Sequence, residues 1–288
     1  MNLKIILINK YTRKGYKTLL NFRLRLRYTW LKHFSTADLI TFQCNICGRS
    51  VTAPRKDVMG RETPSCCYCG STLRFRSIIH VLSLTLFNES RVLKNFKGKE
   101  KHTGIGMSDM DIYALPLAKK LHYTNTFYHT EPYLDICDVN SKDYEKYDFI
   151  ISSDVFEHVP PPVEKAFHNM YRLLKPGGVC IFTVPYTQYN AHVEHFPDLF
   201  EYEIKKLNGK NVLINTTRNG TIQHFNDLRF HGGEGATLEM RCFSLTELKR
   251  YVDIAGFKEF TLFDKDLPEY GIIWDNDTHK TMSMKRAK

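Results

Sequence analysis

Apolar positions change their period several times along this chain, and each change predicts an element. Tyr147 to Ser153 (YDFIISS) is a short apolar run with β-branched residues, the pattern of a buried parallel strand. Val163, Ala166, Phe167, Met170, Tyr171 and Leu174 then recur at three- and four-residue steps behind the triple proline Pro160–Pro162, which predicts an amphipathic helix. It stops at Pro176-Gly177-Gly178, and Val179 to Val184 (VCIFTV) is strand-like again, so the segment reads as a right-handed βαβ unit. An earlier apolar stretch, Ile78 to Phe87, predicts a helix. Between Tyr202 and Phe225, Asn208-Gly209 and Asn219-Gly220 separate three β-rich stretches (YEIKKL, NVLINTT, TIQHF), which predicts a small antiparallel meander. A last helix is expected from Ser244 to Ala255, with Ser244-x-x-Glu247 as a capping box and Gly256 as its stop.

The 288 residues, 42% apolar and 25% charged, suffice for one α/β domain and something smaller, and exclude wholesale disorder. The expected organisation is a basic arm over residues 1–40, a zinc-ribbon-like module over 41–77, and a catalytic domain over 78–288 with 187–240 inserted into it. The formal charge of +10 is concentrated in the arm: Met1 to Thr36 holds nine lysines and arginines and no carboxylate. Such an arm suits phosphates or an anionic lipid surface, or is simply a solvated helix docked on the core. No apolar run reaches the roughly 20 residues needed to cross a bilayer, and Ile5–Ile8 is too short for a secretory signal, so a cytoplasmic location is expected.

Eight cysteines in a reducing compartment read as metal ligands before disulfides. Cys44-x-x-Cys47 and Cys66-x-x-Cys69, separated by residues 48–65, have the spacing of a four-thiolate zinc site. Four ligands leave no open coordination position, so the Zn2+ is expected to be structural; Cys67 is spare.

Strand, helix and turn in the βαβ unit carry a second constellation. Ser153-Asp154-Val155-Phe156-Glu157-His158-Val159 closes the first strand, and Leu173-Leu174-Lys175-Pro176-Gly177-Gly178 precedes the second. With these motifs the chain resembles the class I S-adenosylmethionine-dependent methyltransferases over roughly Lys101 to Phe257. The resemblance implies an α/β fold with a doubly wound, mostly parallel seven-stranded sheet, and S-adenosylmethionine as cofactor. It further implies that Thr103-Gly104-Ile105-Gly106-Met107-Ser108-Asp109 is the Gly-containing turn after the first strand. Gly104, Gly106 and Asp109 would then line the cofactor, with Glu131 on the ribose, Asp135 near the adenine amine and Asp154 on the rim. The stretch between Glu131 and Asp135 is too short for a full helix between the second and third strands. Ligands of such sheets lie beyond the carboxyl ends of the strands, where Asp154, Glu157 and His158 fall.

A third constellation, Phe230-His231-Gly232-Gly233-Glu234-Gly235 followed by Leu238-Glu239-Met240-Arg241, reads as an acceptor-selecting loop. Methyl transfer from a sulfonium is an in-line displacement, and a hydroxyl acceptor must lose its proton as it attacks. His158 or His231 is the expected base, with Asp154 orienting the substrate. The expected acceptor is a small molecule or glycan, methylated at oxygen. The alternatives are an RNA methyltransferase that grips nucleic acid with the ribbon and arm, and a non-catalytic methyltransferase-like binding protein.

Overall fold

The computed structural model describes residues 3–97, 101–188, 192–231 and 237–288. The chain divides into two compact units. One comprises Met1–Thr103, Asp109–Thr124 and Phe263–Thr281; the other comprises Gly104–Ser108, Asn125–Leu262 and Met282–Lys288.

The first unit begins with the long helix α1 (Leu3–Phe34), which the basic arm forms. Strands β1 (Leu39–Gln43) and β2 (Ser50–Pro54) pair as an antiparallel hairpin, with the Cys44–Cys47 knuckle at its tip. A single helical turn, α2 (Arg55–Met59), follows. Helix α3 (Leu73–Phe87) starts five residues before the predicted Ile78, because the Thr72 side chain caps it by accepting from the Phe75 N–H. Its Leu73, Phe75, Ile78, Ile79, Val81 and Leu82 are buried.

Six strands form the main sheet: β3 (Thr103–Met107), β4 (His122–Thr126), β5 (Tyr147–Ser153), β6 (Leu174–Thr183), β15 (Glu259–Phe263) and β16 (Thr281–Lys285). Their order is β15-β16-β6-β5-β3-β4. The pairs β3/β5 and β5/β6 are parallel, and β16 runs antiparallel to β6. The short helix α4 (Asp111–Ala118) lies between β3 and β4 in the sequence.

Six strands stand where seven were expected, and the difference falls at Asp135. Beyond β4 the chain makes a single bridge between Phe127 and Tyr133 and then turns, Asp138 N–H bonding the Asp135 carbonyl. A third strand with its own crossover needs a dozen or more residues, which the sequence does not supply between Glu131 and Asp135.

Helices α5 (Glu164–Leu173) and α6 (Leu245–Ala255) lie together on one side of the sheet. Phe167, Met170, Leu173, Leu248, Tyr251 and Val252 from these helices share one buried cluster with Ile150, Phe182 and Met282 of the strands. Strand β6 starts earlier than the predicted Val179: Leu174-Lys175-Pro176-Gly177-Gly178 is its irregular first part, with a register shift opposite Tyr147 and Phe149. At α6 the Ser244 hydroxyl accepts from Glu247 N–H as expected, but the Glu247 carboxylate pairs with Arg250.

The inserted segment holds the two-residue strands β7 (Tyr186–Thr187) and β8 (Val193–Glu194), then the meander β9 (Glu201–Leu207), β10 (Lys210–Thr216) and β11 (Ile222–Phe225). Leu207 pairs with Lys210 across Asn208-Gly209, both at positive φ, the two-residue turn that Asn-Gly favours. Strands β12 (Phe230–His231) and β13 (Thr237–Leu238) pair with each other, and β14 (Arg241–Ser244) lies between β7 and β8. Gly232, Gly233, Glu234 and Gly235 of the predicted acceptor loop lie outside the described residues, as does the His231 side chain.

Candidate active site and metal centre

The two Cys-x-x-Cys pairs converge. All four Sγ atoms of Cys44, Cys47, Cys66 and Cys69 lie within 4.8 Å of one another, and the Cys44–Cys69 and Cys47–Cys66 separations are 3.7 Å. An ion about 2.3 Å from four tetrahedral sulfurs would hold them about 3.8 Å apart. The two knuckles are built alike. Gly48 N–H bonds the Cys44 carbonyl and Gly70 N–H the Cys66 carbonyl, with φ of +76° and +78° at positions where a side chain would be strained.

The charge around this centre points the same way. Arg76, fully buried, donates to Ser65 Oγ at 2.9 Å and to the Ser71 carbonyl and hydroxyl, and the Ser71 hydroxyl lies 3.2 Å from Cys44 Sγ. Burial lowers the Arg76 pKa, and the charges of Cys44, Cys66 and Cys69 oppose that shift. Among the described residues no carboxylate pairs with Arg76, and such a guanidinium fits a cluster carrying net negative charge, which four thiolates around one Zn2+ would provide.

In the second unit, the carboxyl ends of β3, β5 and β6 form the rim. Asp154 follows β5 directly, at φ +54°; its N–H bonds the Thr183 carbonyl, and its Oδ1 accepts the Thr183 hydroxyl at 2.7 Å. Ser108, at φ +56°, turns the chain beyond β3 and donates its N–H to the Thr126 carbonyl. Left-handed backbone at non-glycine residues is uncommon, and here it occurs at the ends of two adjacent parallel strands.

Glycines 104 and 106 sit inside β3 and not in a turn after it. A Cβ at Gly104 would lie 2.3 Å from the Phe149 ring, so close packing on β5 accounts for this glycine. The turn is Met107-Ser108-Asp109. Asp109 belongs to the first unit, where both its oxygens are engaged: Oδ1 accepts the Tyr113 hydroxyl at 2.7 Å and Oδ2 accepts that of Tyr123. Burial raises its pKa to about 7. Glu131 is exposed and accepts the Tyr133 N–H; Asp135 accepts the Cys137 N–H in the loop that replaces a third strand.

His158 closes a short 3-10 turn after Asp154. Its Nδ1 lies 2.9 Å from the Leu238 carbonyl oxygen, an acceptor, so Nδ1 carries the proton and Nε2 is the basic nitrogen. Nε2 stands 3.9 Å from Oε1 of the buried Glu157.

Beside this turn stands a polar cluster of which the third constellation in the sequence contains Arg241 and Glu239, but not His192, Glu194 or His195. Arg241, fully buried, donates Nη1 to the carbonyls of Phe156 and Val159 and Nε to Glu194 Oε1 at 2.6 Å. His192 Nε2 lies 2.8 Å from the same oxygen. Burial pushes the Glu194 pKa up, but the hydrogen bonds from His192 and Arg241 outweigh it and hold the carboxyl below its ordinary value. His195 likewise meets Glu239 at 2.8 Å. The signal available was His192-x-Glu194-His195, three titratable residues in four positions of the insertion.

Residues 89–259 match the methyltransferase domain family. The chain belongs to this family. The enzyme is thus an S-adenosylmethionine-dependent methyltransferase, as the SDVFEHV and LKPGG segments implied. No curated protein matches its sequence. Among solved structures, it is similar to the CurJ carbon methyltransferase, at 11% identity and a TM-score of 0.45, over 76% of this chain and 56% of that one. It is also similar to the 1,6-didemethyltoxoflavin-N1-methyltransferase of Burkholderia thailandensis, which was solved with S-adenosylhomocysteine (10% identity, TM-score 0.37, 66% and 73% covered). A third similar structure is the sugar N-methyltransferase KedS8 of Streptoalloteichus sp ATCC 53650 (11%, 0.38, 66% and 82%).

Proposed function

We propose that this methyltransferase alkylates a hydroxyl group of a small molecule or glycan, with His158 as the general base. The observation that carries the reading is the Leu238 carbonyl at His158 Nδ1, which fixes the tautomer in which Nε2 can take a proton.

S-adenosylmethionine, when bound at the carboxyl rim, supplies an electrophilic methyl carbon on a positively charged sulfur. Ser108 and Asp154 mark the strand ends that would hold it, and Glu131 and Asp135 offer acceptor-only carboxylates to its hydroxyl and amine groups. Gly106 belongs to this set through its backbone, while Gly104 and Asp109 are accounted for by Phe149 and by two tyrosines. His158 Nε2 would take the proton of the attacking hydroxyl, whose oxygen would gain the methyl group as the cofactor's sulfur kept the electron pair of the broken C–S bond. Asp154, pinned by Thr183, orients the reactants. His231 remains a second candidate for the base through its place in β12.

Zinc at Cys44, Cys47, Cys66 and Cys69 is structural in this reading. A reducing, cytoplasmic setting, which keeps thiols available to a metal, belongs to the same proposal.

The test is transfer of labelled methyl groups to a panel of hydroxyl-bearing glycans and small molecules, paired with calorimetric titration of S-adenosylmethionine. His158→Ala is expected to lower kcat about 100-fold or more with cofactor affinity unchanged. Full turnover in that variant rules His158 out as the base, and acceptors lacking hydroxyls being preferred rules out oxygen transfer.

A further inference from the structure

From Thr18 to Phe34 helix α1 carries two opposed apolar faces, and among the described residues only one is used. Leu20, Asn21, Leu24, Tyr28 and Leu31 point inward: Asn21 Nδ2 donates to the Tyr68 carbonyl at 3.2 Å, and the Tyr28 hydroxyl bonds Asp57 at 3.1 Å. Roughly half a turn away, at about 100° per residue, stand Leu19, Phe22, Leu26, Trp30 and Phe34. They step by three or four residues and are 49%, 54%, 56%, 56% and 73% exposed. A helix that served only the core would set polar residues along this line.

The basic residues are arranged around that row. Arg25 flanks it on one side and Arg23 and Arg27 on the other, in a segment with no carboxylate before Asp38. Arg27 is tied to Asp57 at 2.8 Å and Arg25 stacks 4.9 Å from the Tyr68 ring centroid, both with exposed side chains, and Arg23 is exposed as well.

We propose that this face of α1 lies in the surface of an anionic lipid bilayer. The apolar row would enter the boundary between headgroups and acyl chains, and the flanking cations would meet lipid phosphates. Charge alone would suit RNA equally, but a phosphate backbone gives no reason for an unbroken line of Leu, Phe and Trp between the cations. Trp30 suits the interface, where its ring is half apolar and its N–H stays wet. No helix among the described residues is long and apolar enough to cross a membrane, so the helix would lie on the bilayer and not span it.

Flotation of the full chain with vesicles tests this. The protein is expected to float with an equal mixture of phosphatidylcholine and phosphatidylglycerol and to stay behind with phosphatidylcholine alone. Leu26→Asp combined with Trp30→Asp is expected to lower binding about tenfold or more, with zinc content and unfolding midpoint unchanged, because both side chains are exposed. As a readout independent of that variant, lipids brominated on their acyl chains should quench Trp30 fluorescence in a Trp274→Phe background. Absence of flotation on the mixed vesicles, retention of full binding by the double variant, or no quenching overturns the proposal. Binding to RNA with none to vesicles does so too.

Discussion

His158 Nδ1 lies 2.9 Å from the carbonyl oxygen of Leu238, a residue eighty positions further along the chain. The orientation of the imidazole therefore depends on how the segment around β14 is held, and Arg241 holds it. Its guanidinium grips the carbonyls of Phe156 and Val159 on either side of the His158 turn, and Met240 N–H bonds the Glu157 carbonyl. Arg241→Met should cost about 2–4 kcal/mol in urea unfolding, since it removes the guanidinium from a half-buried Glu194 and from the Phe156 and Val159 carbonyls. It should also lower kcat while leaving the affinity for S-adenosylmethionine intact, which kinetics and calorimetry on the same preparation would show.

Gly104→Ala should be among the costly substitutions in the sheet. The added methyl would stand 2.3 Å from the Phe149 ring, inside β3 where the backbone cannot withdraw. A loss of about 1–3 kcal/mol is expected, with partial recovery in Gly104→Ala combined with Phe149→Leu. If Gly104 served only the cofactor, the single variant would unfold like the wild type and bind S-adenosylmethionine poorly.

Metal analysis should give one zinc per chain, and Cys69→Ser should abolish it. Arg76→Met keeps all four ligands but removes the buried cation near them, and should lower zinc affinity about 10–100-fold in competition with a chromogenic chelator. Equal affinity in the two proteins would show that Arg76 serves its serine and carbonyl partners alone.

Asp109 gives the chain a pH signature. The native carboxyl keeps its proton up to about 7 because burial disfavours the charge, whereas an unfolded aspartate releases its proton near 4. Between these values the native state binds more protons, so this residue's contribution is complete below about 4 and falls away as pH rises through about 7. Asp109→Asn should remove that slope. Urea midpoints of the two proteins should therefore diverge across this interval, and parallel curves would contradict the raised pKa.

The sequence was most legible where local chemistry and tertiary structure agree. The Val163–Leu174 periodicity, the Asn208-Gly209 turn, the Ser244 cap and the paired cysteines each state their structure within a few residues. The limits of β6 were not legible, because LKPGG has turn chemistry and is drawn into the strand by pairing with Tyr147. The place of the glycines was hidden for a similar reason: Gly-x-Gly is equally the mark of a turn and of a strand pressed against a large ring, and only Phe149 decides between them. The Arg241–Glu194–His192 cluster joins residues about fifty positions apart, and no period in the sequence connects such residues.

Arg76 also reaches forward: its second Nη donates to the Gly271 carbonyl at 2.8 Å, and Gly271 itself lies against the Phe42 ring, where a Cβ would approach to 2.7 Å. The support of the thiol cluster therefore draws on stretches of chain 195 positions apart. The four thiols are all in place by residue 69, yet the Arg76 contact that buttresses them is completed only by Gly271, in the stretch 263–281. Excising residues 41–77 as a portable cassette would carry away the four sulfurs and leave part of their scaffold behind.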